Sequence, residues 1–91
     1  MTALAIPTVH LNGTSKESLL EALSNARHAV NEAIGSLANT APNGRDYYVQ
    51  GVNALHHAEV EYRARVQALL NVYDELGEIA LAIDAQTLWR G

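Results

Sequence analysis

Ninety-one residues hold one domain at most, near the lower size at which a single hydrophobic core sustains a fold unaided. With 48% apolar and 18% charged residues, and no run approaching the roughly 18 apolar residues of a membrane span, the composition is that of a soluble chain. The lack of cysteine excludes disulfides, thiolate nucleophiles and Cys-ligated zinc, and a net charge of −4 with one lysine, Lys16, argues against sequence-independent binding of DNA or RNA.

Met1 to Gly13 carry apolar side chains without helical spacing, and Pro7 biases Ile6 away from the α region, which predicts an extended arm. No basic stretch precedes the apolar residues as a secretory signal requires, so the arm reads as part of the mature chain and the protein as cytoplasmic. Asn12-Gly13 then forms a turn, and Thr14 with Glu17 spells a capping box, Thr14-x-x-Glu17, at a helix start. Leu19, Leu20, Leu23, Ala26, Val30, Ala33, Ile34 and Leu37 recur at helical spacing, while Glu21, Asn25, His28, Asn31, Glu32 and Asn39 fill the opposite face. Helix one is expected over 15–39, about 37 Å long.

Thr40-Ala41-Pro42-Asn43-Gly44 ends that helix, because proline cannot continue the ladder and Asn-Gly favours a turn. A loop over 40–51, rich in aromatic and charged groups, follows. From Val52 or Asn53 the spacing of Leu55, Tyr62, Val66, Leu69, Tyr73, Leu76, Ala80 and Ile83 predicts a second helix over 52–86, about 50 Å long. The pairs Glu59/Arg63 and Glu61/Arg65 stand at i,i+4 on its solvent side. Gly77 costs about 1 kcal/mol against alanine, so it either permits close packing or marks a kink.

The expected fold is therefore all-α: an antiparallel two-helix hairpin with an extended N-terminal arm, one domain over 1–91. Leu20, Ile34, Val60, Leu70, Val72, Ile79 and Leu81 lie off the main seam and need a further partner. A lone hairpin must also offset roughly 1–2 kcal/mol of backbone entropy per ordered residue. Homo-oligomerisation follows, most simply a twofold dimer forming a four-helix bundle, or a dimer of such dimers.

Two polar blocks outside the stripes are candidate binding sites. Asn12, Thr14, Ser15 and Lys16 stand at a helix N-terminus, where N–H groups, hydroxyls and an ammonium suit a phosphate or carboxylate, or serve simply as a capped helix start. Asn43, Arg45, Asp46, Tyr47 and Tyr48 combine a donor fork, two flat aromatic faces and polar groups able to read a base or ribose, or else staple a turn through Arg45 and Asp46. His56, His57, Glu59 and Glu61 read as a solvated face, since the Glu-x-x-His pattern of carboxylate-bridged bundles is missing. Neither a catalytic constellation nor a cofactor or metal site is expected. The two blocks lie about 35 Å apart within one hairpin, but in an antiparallel dimer the loop of one copy sits beside the helix start of the other.

Over almost its whole length the chain resembles a family of small phage and prophage proteins that share the blocks Ile6-Pro7-Thr8-x-His10-Leu11-Asn12-Gly13-Thr14-Ser15 and Ala41-Pro42-Asn43-Gly44-Arg45-Asp46-Tyr47-Tyr48. By type it is also similar to the small helical phage "sponges" that sequester nucleotide signals of bacterial immunity. The convergence of binding groups in the two polar blocks, with this likeness of type, leads to the expectation of a phage-encoded anti-defence protein that binds a cyclic oligonucleotide or cyclic ADP-ribose type signal in intersubunit pockets, without catalysis. The alternative is an interaction module that inhibits or scaffolds a host or phage protein through the acidic second helix (Asp74, Glu75, Glu78, Asp84) or the arm.

Overall fold

The computed structural model of the chain describes residues 3–87; Met1 and Thr2 of the expected arm, and residues 88–91, lie outside that range. Every regular element within it is helical. Helix α1 spans Lys16–Leu37, a short α2 spans Gly44–Tyr47, and α3 spans Ala54–Asp84, with single 3-10 turns at Ala38–Thr40 and Tyr48–Gln50. No helix among the described residues is long and apolar enough to cross a membrane.

The start of α1 lies one residue later than the expected capping box. Ser15, not Thr14, holds the extended cap conformation, and its hydroxyl accepts the Ser18 N–H at 3.1 Å. Both hydroxyls suit that role, and the backbone turn decides between them: the Gly13 N–H donates to the His10 carbonyl at 3.2 Å, with the His10 ring lying where a Gly13 side chain would stand, 2.7 Å from that position.

α1 and α3 pack in opposite directions. Lys16 meets the end of α3 near Asp84, Arg27 meets Tyr73, and Gly44 lies against Leu55, so the contacts step together from the open end to the loop. The start of α3 extends past the end of α1, and α2 with its neighbouring 3-10 turn packs against α3 there. Ala58, buried to 8% exposure, belongs to that stretch.

α3 runs unbroken through Gly77, which resolves the two roles expected of it in favour of close packing. A side chain at Gly77 would come within 2.9 Å of the Arg27 guanidinium. In that slot Arg27 lies 4.0 Å over the Tyr73 ring and donates from Nε to the Tyr73 carbonyl at 3.2 Å, combining a cation–π contact with a hydrogen bond. The expected pairs on α3 do not close as ion pairs: Arg63 Nε donates to the backbone carbonyl of Glu59 at 3.4 Å. Among the described residues the close contact between an imidazole and a carboxylate is His28 Nε2 to Glu32 Oε1, 2.9 Å, on the exposed face of α1.

The open end is clasped. Lys16 Nζ donates to the carbonyls of Asp84 and Gln86 at 2.7 and 2.9 Å, satisfying acceptors that a helix C-terminus leaves without partners. The Gln86 carboxamide then holds the arm as a strand neighbour would, accepting from Val9 N–H at 2.9 Å and donating to the Pro7 carbonyl at 2.7 Å. Val9 and Ile83, at 3% and 0% exposure, are the most buried side chains and both flank this clasp. Lys16→Met keeps the aliphatic stem but removes the charge-assisted bonds, and is expected to lower stability by about 1 kcal/mol in urea unfolding. An unchanged midpoint would show that solvent replaces the ammonium without loss.

The resulting body is a slab of 66 × 26 × 16 Å with a radius of gyration of 19.3 Å, against about 12 Å for a compact chain of this length. It exposes 6835 Å², against roughly 5,200 Å² for a compact protein of its mass. Val9, Ala58 and Ile83 are its buried apolar residues, and every other apolar side chain among the described residues keeps some contact with solvent.

Candidate functional site

The sequence-marked blocks fall at opposite ends of the slab. At the loop end, Asn43 caps α2 with its side-chain oxygen, which accepts the Arg45 N–H at 3.0 Å, while its carbonyl accepts the Asp46 N–H at the same distance. Tyr48 N–H closes the turn onto the Gly44 carbonyl. Gly51, at φ 118° and ψ 173°, then reverses the chain in a conformation that side-chain-bearing residues avoid, which lets α3 start beneath the turn it has just left.

This geometry leaves an open cleft of about 590 Å³ lined by Gly44, Arg45, Tyr47, Tyr48, Gly51, Val52 and Leu55. Its volume lies within the range of small-molecule sites. Leu55 and Tyr47 are half-buried and form the floor, while Tyr48 and Val52 stand out at 75% and 98% exposure. The Arg45 guanidinium makes no hydrogen bond or ion pair among the described residues, so the expected alternative of an Arg45–Asp46 staple is absent there. An exposed guanidinium beside two aromatic rings and an aliphatic wall can hold an anionic group and a flat ring together. The turn chemistry of Asn43 is committed to the backbone, and Asp46 stays exposed.

At the open end, Val9, His10, Leu11, Gly13, Ser15, Lys16, Glu17, Gln86 and Thr87 surround a second cavity of about 550 Å³. Here the structure gives the sequence-marked residues structural work: Ser15 caps α1, and Lys16 spends two of its donors on the end of α3. Asn12 and Thr14 are exposed beside them. Within one protomer the two blocks are not brought together, since the length of α1, about 33 Å, separates them.

His10, Gln86 and Thr87 at the open end, and Val52 and Leu55 at the loop end, line these cavities without having been marked as site residues. Asn12-Gly13 carried a local signal for the His10 turn, whereas nothing near Gln86 in the chain announces its partners 77 and 79 residues away. Among the described residues, no three histidine, aspartate or glutamate side chains gather as a metal-ligand set. No family model, curated protein or solved structure matches the chain.

Proposed function

We propose that the protein is a helical-hairpin homo-oligomer that binds a small nucleotide-like ligand without catalysis and so withholds it from a receptor. The loop-end cleft carries this reading: Arg45 is free to take a phosphate, and Tyr47 and Tyr48 present ring faces for a base beside the apolar wall of Val52 and Leu55. Since Lys16 already bonds the end of α3, the main phosphate contact falls to Arg45. Asn12, Thr14 and Ser15 of a second copy, brought alongside by an antiparallel dimer, complete the pocket. The resemblance to phage proteins supplies the setting, a cyclic oligonucleotide or cyclic ADP-ribose type signal of bacterial immunity in the cytoplasm of an infected cell.

Isothermal calorimetry and thermal shift with cyclic di- and trinucleotides and cyclic ADP-ribose isomers test the reading. The expected result is micromolar or tighter binding of one class with a rise in Tm that grows with ligand concentration. Absence of any response at millimolar ligand would overturn it.

A second reading is supported by a groove of about 640 Å³ where Ala3, Leu4 and Ile6 of the arm lie along Asn71, Asp74, Glu75 and Glu78 of α3. That pattern, an apolar strip beside three carboxylates, suits a basic segment of another protein taking the place of the arm, as an interaction module requires.

A further inference from the structure

A slab one helix thick, 16 Å, presents two broad faces on either side of the α1–α3 seam, besides the edge of α3 along which the arm lies. On one of the two faces Leu20, Ser24, Arg27, His28 and Asn31 of α1 line a shallow hollow of about 270 Å³ with Tyr73 and Ala80 of α3. Leu70 and Leu81 fall on the same flank of α3, where those polar groups interrupt the apolar surface.

The other face is different in kind. Ala22, Ala26, Ala29 and Ala33 follow one another at steps of four, three and four, which carries them to the side of α1 away from Ser24 and Asn31. Val72 and Ile79, seven residues apart, take the matching flank of α3, across the seam line from Leu70 and Leu81. Ala22, Ala29 and Ala33 are exposed, Val72 is 45% exposed, and Ala26 and Ile79 are half-buried. An exposed valine and a partly exposed isoleucine thus stand beside a smooth helix surface.

We infer that a second copy of this chain seats on this face, an inference that rests on the oligomeric reading above and names the surface that carries it. The area supports that occupant. The paired length of α1, about 33 Å by helix rise, and the 26 Å width of the slab give a face of roughly 850 Å², close to the ~800 Å² that each partner contributes to a stable interface. The excess of exposed surface over a compact chain, noted above, is large enough to supply it. Alanines allow the two α1 axes to approach at the short end of the usual 8–10 Å, and Val72 and Ile79 of α3 in each copy then pack against those of the other. Contact between identical faces is self-complementary and closes at two copies. With the twofold axis perpendicular to the helices, the Arg45 cleft of one copy lies toward the Asn12–Ser15 segment of its partner copy.

Sedimentation velocity and thiol labelling test the assignment. The wild-type chain is expected to sediment as a dimer at micromolar concentration, Ala29→Arg as a helical monomer by circular dichroism, and Asn31→Arg, on the polar face, still as a dimer. Since the chain has no cysteine, Ala29→Cys and Asn31→Cys each introduce a lone thiol. The thiol at position 29 should react with a maleimide at least about tenfold more slowly than that at 31, a difference that dilution to monomer abolishes. If Ala29→Arg loses its helicity, the labelling rates decide alone. A wild-type monomer at high micromolar concentration would overturn both this inference and the oligomeric reading. A wild-type dimer whose two thiols label equally fast, or that survives a folded Ala29→Arg, would overturn the choice of face and leave the oligomer standing.

Discussion

Ile83→Ala is expected to destabilise the protein by about 3–4 kcal/mol, the upper part of the range for truncating a fully buried isoleucine. Ile83 is the large side chain with no exposure at all, and it lies one turn before the residue that clasps the arm. Its loss removes burial and leaves a space that the surroundings fill poorly, because the Lys16 and Gln86 hydrogen bonds hold the backbone just after it and the arm beside it. The effect is large relative to the whole: domains of this size are stable by only about 5–14 kcal/mol, and three buried apolar residues place this protomer at the low end. Urea unfolding at one fixed protomer concentration measures it, since association adds to apparent stability. Val52→Ala, at 98% exposure, is the matched control and should shift stability by less than about 0.5 kcal/mol. Equal effects at the two positions would show that the clasp end is not where the fold is held.

Arg45→Ala is expected to weaken ligand binding about 10- to 100-fold while leaving stability and association unchanged. Removing a guanidinium from a charged ligand group forfeits roughly 1.5–3 kcal/mol. No such loss falls on the fold, because the Arg45 side chain has no partner among the described residues. Arg45→Lys should recover only part of the affinity, since an ammonium lacks the planar donor fork. Tyr48→Phe should bind nearly as well as wild type and Tyr48→Ala should not, because stacking needs the ring and not the hydroxyl. Calorimetry with the ligand class found in the screen reads these changes, and sedimentation confirms the assembly. Undiminished binding by Arg45→Ala would remove the loop-end cleft from the site. A parallel loss of helicity would show a structural role instead.

Much of the architecture was legible because its causes are local. The three-and-four spacing of Leu19, Leu23, Ala26, Val30 and Ile34 can be buried only as a helix face, and Pro42-Asn43-Gly44 cannot continue one. The ends were less exact. Thr14 and Ser15 are adjacent hydroxyl residues with equal claim to the cap, and the choice fell to the His10–Gly13 turn upstream. The stretch expected as loop between the helices includes a single turn of helix, α2, because Asn43 supplies its own cap within the connection. Of the candidate site, the residues at the loop end were marked from their chemistry, whereas the apolar wall of Val52 and Leu55 was read only as the beginning of a helix.

By itself, then, the sequence determined where helices form and break, that apolar side chains exceed what one helix pair can hide, and which polar segments lie outside the stripes. Tertiary structure alone decided that Lys16 bonds the end of α3, that Gln86 holds the arm, and that Gly77 makes room for Arg27 over Tyr73. The division has one physical cause. Period, capping and turn preference act over a few residues and can be read in place, but a hydrogen bond between residues 68 or 77 positions apart depends on where two helices lay their ends, which no neighbouring residue specifies.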